Sequence, residues 1–358
     1  MRALTVVPGR SDTLSIEETA DPAPGESELL VEGVTVGVCG TDREIAAGDY
    51  GRAPPDEERL IIGHESLGRV AQSPAGSGFS VDDLVVGVVR RPDPEPCGAC
   101  ANGQFDMCRN GRYTERGIKQ LHGYASQVWT LEPDYAVKLD ASLADVGVLM
   151  EPTTVVAKAW EQVEKVGARA WFEPHTALVT GAGPIGLLAA LLGVQRGLEV
   201  HVLDQVTTGP KPDLVTDLGA TYHHRSATDV ASEVRPDVVI EATGVGAVVF
   251  DVLAETSSYG VTCLTGVSPK GRSLTIDAGG LNRNLVLEND AIIGSVNANL
   301  DHYRDAAEAL AAADLPWLRR LITRRVPLSR AQEAFTPQED DVKVVIELAD
   351  RGSSPAAS

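Results

Sequence analysis

Up to about residue 140, apolar positions fall in short runs broken by Gly, Pro and Asp, at 28–38, 68–72, 83–89, 125–130 and 136–139. Runs of that length, bounded by turn formers, predict the strands of a compact and irregular β domain. The texture changes near Leu149. Residues 152–166, PTTVVAKAWEQVEKV, carry apolar side chains at helical spacing with few breakers and predict one long helix. From Thr176 the two patterns alternate: 177–180, 200–203, 237–241, 261–267 and 291–296 read as strands, 185–195 and 250–256 as helices. That alternation predicts an α/β fold with a doubly wound parallel sheet, joined to the β-rich domain that precedes it. Residues 301–358 return to helix and strand that the alternation does not need, so they are expected to pack back on the β domain, with 351–358 as an unstructured tail. The expected domains are 1–172 with 298–358, and 173–297.

Composition narrows the classes of function. At 358 residues the chain exceeds the usual single core. Hydrophobic content of 43% with 23% charged residues fits an ordinary globular protein. A formal charge of −20 argues against nucleic acid or anionic membranes as partners, since both need a basic face. No run approaches the ~18 apolar residues of a membrane span. The apolar start at Met1–Val7 is cut by Pro8 and Gly9, too soon for a signal peptide, and a cytoplasmic protein is expected. Five cysteines, an odd number that includes a C-x-x-C pair, suit metal ligands or free thiols better than a disulfide framework.

The first apolar run of the alternating region leads into Gly181-Ala-Gly183-Pro184-Ile185-Gly186, which opens a helix. The first glycine makes the turn, the second lets backbone approach a pyrophosphate, and the third lets helix and strand pack closely. The helix N-terminus then offers unpaired N–H groups to the phosphates. The next strand ends in Asp204, where an acid accepts hydrogen bonds from the adenosine ribose. A carboxylate there repels a 2′-phosphate, and Gln205-Val206 supply no cation to hold one. NAD is therefore the expected cofactor, with NADP the alternative. Thr243, Gly266 and Asn297 complete the expected cofactor-binding set with Gly181, Gly183, Pro184, Ile185, Gly186 and Asp204.

In the β domain stand Gly37-Val-Cys39-Gly-Thr41-Asp42 and Gly63-His64-Glu65. A thiolate and an imidazole are what a catalytic zinc takes, with a third protein ligand and one open position. Glu151, at the head of the long helix, is a candidate for the third ligand, although spacing alone does not bring the three together.

Several motifs in register carry more than any one of them. Cys39-Gly-Thr-Asp, Gly63-His-Glu-x-x-Gly68, Glu151-Pro152, Gly181-x-Gly-x-x-Gly186, Leu218-Gly-Ala220 and Glu241-Ala-Thr-Gly244 occur in an order that resembles the zinc-dependent medium-chain dehydrogenase/reductase family. The resemblance runs from about residue 25 to 345 and implies a GroES-like catalytic domain, made of both chain ends, beside a Rossmann domain. Arg90-Arg91-Pro92, Glu115-Arg-Gly-Ile118, His122-Gly123, Leu149-Met-Glu-Pro152 and Gly294-Ser-Val-Asn297 look most like the archaeal-type glucose dehydrogenases. By that resemblance Cys39, His64 and Glu151 surround the catalytic zinc with Glu65 in or near its ligand shell. Thr41 passes on the substrate proton, Asp42 orients His64, and Glu115 and Asn297 face sugar hydroxyls. Relatives in this branch that use NADP tend to carry Asn or Gly followed by Arg-Arg where this chain has Asp204-Gln205-Val206. Cys97-Gly-Ala-Cys100 with Cys108 resembles the family's structural-zinc lobe, which has four cysteines. Here it is either a structural zinc site completed by Asp93, Glu95 or Asp106, or a vestigial lobe without metal.

The resulting expectation is an NAD(P)-dependent oxidoreductase that oxidises an aldose such as glucose at C1 to its lactone. The alternatives are another zinc-dependent alcohol, polyol or cyclitol dehydrogenase of the family and, more remotely, a non-catalytic NAD-binding interaction protein. The resemblance also implies a homodimer or homotetramer, for which the run 291–296 would serve as a pairing edge.

Overall fold

The computed structural model describes residues 1–349 other than 270 and 272, so the expected tail at 351–358 lies outside the described residues. Two compact units are formed. One comprises Met1–Glu151, Asn299–Ala311 and the described residues 322–349, and the other comprises Pro152–Ala298 with Ala312–Leu321.

The first unit is built on a seven-stranded sheet whose central strand, Leu29–Val38, pairs on its two sides with Glu65–Gln72 and Lys343–Glu347. Its alternating side chains explain the arrangement: Leu29, Val31, Val36 and Val38 are buried, and the core on one face gathers Val36, Val38, Ile62, Val344 and Ile346. The antiparallel register sets Gly37 opposite both Glu65 and Val345. That pairing brings three distant stretches of sequence to one place. Gly37 is needed there, because a Cβ would run into the Glu65 carboxylate and lie 2.9 Å from Cε of Lys343. A small sheet of Arg90–Arg91, Thr114–Arg116 and Gln120–Leu121 stands apart in the same unit.

The second unit holds a six-stranded parallel sheet in the order Thr221–His223, Glu199–Leu203, Thr176–Thr180, Val238–Glu241, Val261–Leu264, Ala291–Gly294. Numbered along the chain this is 3-2-1-4-5-6, the order of a dinucleotide-binding sheet. The long helix, Met150–Gly167, begins close to its expected start. All but its first two residues group with this unit rather than with residues before it, since Trp160 donates its indole N–H to the Ala189 carbonyl at 3.1 Å. The strand expected at 261–267 stops at Leu264 because the N–H groups of Thr265 and Gly266 turn back to the Glu241 carbonyl. The helix expected at 250–256 runs instead from Gly246 to Leu253.

Gly186 is the tightest contact of the glycine turn, since a Cβ would strike the carbonyl oxygen of Gly181 and nothing flexible could yield. Gly186→Ala should therefore destabilise the protein by about 1–3 kcal/mol, read as a lower denaturation midpoint at unchanged m-value. An unchanged midpoint would mean that the turn is looser than described.

Candidate metal centre and dinucleotide cleft

Cys39 follows directly on the central strand and caps the helix Gly40–Ala47. Its N–H donates to Asp42 Oδ2 at 3.0 Å, which folds Asp42 back beneath it. Gly63, at φ +87°, turns the chain so that His64 and Glu65 enter the neighbouring strand edge. Cys39 Sγ then lies 3.1 Å from Nε2 of His64, and Nδ1 of His64 lies 3.3 Å from Oδ1 of Asp42. One ligand atom each from Cys39, His64 and Glu65 falls within 4.8 Å of the others. Sulfur, imidazole nitrogen and carboxylate oxygen so gathered are a donor set that suits zinc, and Asp42 on the far ring nitrogen fixes the imidazole for it. Glu151 lies outside that group of three, but near enough for the charges of His64, Glu65, Lys343 and Asp42 to act on it. Burial first, and then the neighbouring carboxylates, push its carboxyl up to about 7.

Lys343 completes the cluster and was not legible beforehand. It is buried, sits one position before the residue opposite Val38, and forms an ion pair with the equally buried Glu65. The only signal for it was a lysine heading an apolar strand, with nothing to name its partner.

Protonation inside the cluster follows from burial and pairing. Burial raises Cys39 towards the neutral thiol, and His64 opposes this only in part. Burial works against a charged His64, but Asp42 and Cys39 outweigh it and draw the ring well towards imidazolium. The same His64, the Cys39 N–H and Lys343 overcome burial at Asp42 and hold it below the usual carboxylate range.

The three-cysteine lobe is also brought together: Cys97, Cys100 and Cys108 place their sulfurs within 4.8 Å of one another. Backbone N–H groups of Arg109 and Cys100 lower the Cys97 thiol to about 6. The three carboxylates weighed as a fourth ligand are engaged elsewhere. Asp93 and Glu95 pair with Arg112 at 3.2 and 2.8 Å, and Asp106 accepts from Asn299 at 3.0 Å. Among the described residues no fourth ligand joins the three sulfurs. Glu115 is buried and ion-paired with Arg90 at 2.9 Å.

In the second unit a cleft of about 480 Å³ is lined by Gly181, Asp204, Gln205, Arg225 and Thr243, among others. Asp204 accepts from the N–H groups of Ala182 and Gln205, both at 2.7 Å, and pairs with Lys211 at 3.3 Å. Burial opposes its charge, but these donors hold it below the usual range. Lys211 and Arg225 are cations that adjacency to Asp204 in sequence did not reveal. Gly183 caps the helix Pro184–Gln195, with Pro184 at its first position and Ile185 and Gly186 in its first turn. Thr243 is placed by Glu241, which accepts its N–H at 2.8 Å. Gly266 donates to the Glu241 carbonyl at 3.0 Å, and Asn297 adopts φ +61° with its side chain accepting from Ala298.

Two measurements probe the metal centre. Asp42→Asn should weaken zinc binding about 10–100-fold in chelator competition, and an unchanged affinity would contradict its orienting part. A thiol and an imidazolium must both lose protons to bind a metal, so zinc affinity should rise with pH across about 6 to 8, with proton release. A pH-independent affinity would contradict the proton distribution given above.

The C-terminal model of glucose dehydrogenases matches residues 144–348, and the GroES-like domain of alcohol dehydrogenases matches residues 25–141. Glucose 1-dehydrogenase of Methanocella arvoryzae is 39% identical, across 97% of this chain and 99% of its own. The Thermoproteus tenax glucose 1-dehydrogenase is 40% identical with the same coverage, 97% and 99%. The structure of Haloferax mediterranei glucose dehydrogenase in complex with NADP, Zn and gluconolactone gives a TM-score of 0.90 at 32% identity, covering 98% of this chain and 100% of that one. With a GroES-like unit, a 3-2-1-4-5-6 sheet and this likeness along nearly its whole length, the chain belongs to the zinc-dependent medium-chain dehydrogenase/reductase family, in its archaeal-type glucose dehydrogenase branch.

Proposed function

We propose that the protein oxidises an aldose, glucose in the first instance, at C1 to the lactone, with NAD as the preferred hydride acceptor. The observation that carries this reading is the grouping of Cys39 with the buried His64 and Glu65, steadied by Asp42 and Lys343, in a chain whose relatives are named glucose 1-dehydrogenases. Zinc held by Cys39, His64 and a carboxylate, Glu65 or Glu151, would lower the pKa of the reacting hydroxyl. A bound nicotinamide would accept the hydride.

The rest is done by the chain itself. Asp42 keeps the His64 ring oriented, and Lys343 pairs with Glu65 beside it. Thr41, two residues past Cys39 on the helix that Cys39 caps, passes the hydroxyl proton onward. Glu115 and Asn297 accept hydrogen bonds from sugar hydroxyls, so that an alcohol lacking them leaves polar groups unpaired and is rejected. The ionised Asp204 supports NAD over NADP, and Lys211, 3.3 Å away, offsets part of its charge. The three-cysteine lobe offers three sulfurs for a second zinc, with no fourth ligand joining them among the described residues.

Self-association through the edge strand Ala291–Gly294 is part of the same proposal. Ile292, Val296, Val286 and Leu287 are exposed there, and the helix Ala278–Glu288 buries none of its residues. An apolar strip of that kind suits a second copy of the chain, giving a homodimer or homotetramer. Among the described residues no helix is long and apolar enough to cross a membrane, and the protein is proposed to be cytoplasmic.

The test is NAD(P) reduction across a panel of aldoses, polyols and simple alcohols, with and without chelator. Glucose or a close aldose should give the highest kcat/KM, chelation should abolish turnover, and NAD should outperform NADP. Turnover that persists after metal removal, or a simple alcohol as the best substrate, would overturn the reading. Asp204→Asn should move the NADP-to-NAD ratio of kcat/KM upward by about tenfold, whereas no movement would remove Asp204 from cofactor choice.

A further inference from the structure

The clearest arrangement outside the metal centre surrounds Arg90. This arginine and Glu115 face each other across the short antiparallel pair Arg90–Arg91 and Thr114–Arg116, and both are buried, 6% and 4% exposed. Nε and Nη2 of Arg90 donate to Oε1 of Glu115 at 3.1 and 2.9 Å. The third arm, Nη1, donates to the backbone carbonyl of Asp106 at 2.8 Å. The guanidinium carbon sits over the Tyr113 ring, 3.7 Å from its centroid, and Lys119 closes on the same ring at 3.9 Å. Backbone bonds in both directions between Glu115 and Lys119, each 2.8 Å, fix the short strand on which the carboxylate stands.

The guanidinium is thus held over the Tyr113 ring, by one arm at Asp106 and by the other two at Glu115. A planar fork held this way dictates the direction of the carboxylate it grips, which a flexible ammonium would not do. Both donated bonds fall on Oε1, so the same grip also sets the direction of the other carboxylate oxygen.

We propose that Arg90 is the positioning residue for sugar recognition: it aims the Glu115 carboxylate at the substrate hydroxyls and ties that carboxylate to the cysteine lobe through Asp106. The proposal rests on the reading of Glu115 as a sugar ligand. It gives the lobe a part in the protein that does not depend on a fourth metal ligand, since Asp106 lies between Cys100 and Cys108 and is itself braced by Asn299. Arg90 touches neither substrate nor metal in this account. Its removal acts on sugar affinity and leaves the chemistry at Cys39 and His64 in place.

The experiment uses the zinc-loaded full chain and compares Arg90→Met, Arg90→Lys, Glu115→Gln and the Arg90→Met/Glu115→Gln double variant. For Arg90→Met the glucose KM should rise about 10–100-fold, the loss of a hydrogen bond to a charged group, with kcat changing far less. The dissociation constant for NAD, read by fluorescence titration, should not move. Arg90→Lys should fall between wild type and Arg90→Met, and the double variant should be no worse than the more impaired single one. If Glu115→Gln raises the glucose KM while Arg90→Met leaves it unchanged, Glu115 binds sugar but Arg90 does not position it, and the proposal fails alone. If Glu115→Gln leaves the glucose KM unchanged, the reading of Glu115 fails and takes the proposal with it. A lowered Tm with unaltered KM would make Arg90 merely structural and also overturns the proposal. Should Arg90→Met not fold, Arg90→Lys decides: a raised KM at wild-type Tm supports positioning, and an unchanged KM refutes it.

Discussion

Six ionisable side chains, Cys39, Asp42, His64, Glu65, Glu151 and Lys343, are gathered in one region of the first unit, and four of them are almost wholly out of water. Burying a lone charge costs several kcal/mol, so five of the six stand beside a partner of opposite tendency, while burial pushes the Glu151 carboxyl up to about 7. Asp42 faces His64, His64 faces the thiol, and Lys343 faces Glu65. The strand register enforces these pairings. Gly37 opposite Glu65, with Lys343 arriving from the far end of the chain, leaves room for the Glu65–Lys343 pair and for nothing larger. A metal introduced there meets donors already oriented and an imidazole already chosen at Nε2. The same arrangement makes metal binding a competition with protons.

The second unit solves a different problem with the same means. Its glycine turn brings backbone N–H groups towards an anion, and Asp204 is braced from behind by Ala182, Gln205 and Lys211 rather than left swinging at a strand end. Glu241 does likewise for the opposite wall, accepting from Thr180, Thr243 and Gly244 while wholly buried. Carboxylates at the ends of the two parallel strands that flank Thr176–Thr180 therefore shape both sides of the cleft.

Much of this was legible in the sequence, and the reasons are physical. The central parallel strands and the helix after the glycine turn announce themselves because a buried strand must be apolar and a buried helix must keep its period. The strand Thr221–His223 is three residues long and part polar, and the helices Pro210–Asp217 and Ala227–Val234 start among Gly, Pro and Ser, so their patterns are too short to stand out. Pro210 reads as a breaker in sequence but sits in the first turn of its helix, where a missing N–H costs nothing. Cys39 and His64 could be picked out as residue types, but the 3.1 Å between them arises from the pairing of two strands and not from their spacing. Lys343 and Arg90 were opaque for the same reason: an ion pair has no sequence signature when its halves lie far apart. In the case of Glu115, sequence likeness suggested a sugar contact but gave no hint of the guanidinium that grips it.

The central claim is that Cys39 and His64 hold a metal ion on which turnover depends. Diffraction from crystals of the zinc-loaded protein, recorded on both sides of the zinc absorption edge, tests it most directly. The account predicts an anomalous peak ~2.3 Å from Sγ of Cys39 and ~2.0–2.1 Å from Nε2 of His64, with a carboxylate oxygen of Glu65 or Glu151 at ~2.0–2.2 Å. A fully active preparation whose crystals carry no anomalous scatterer at that position would contradict it.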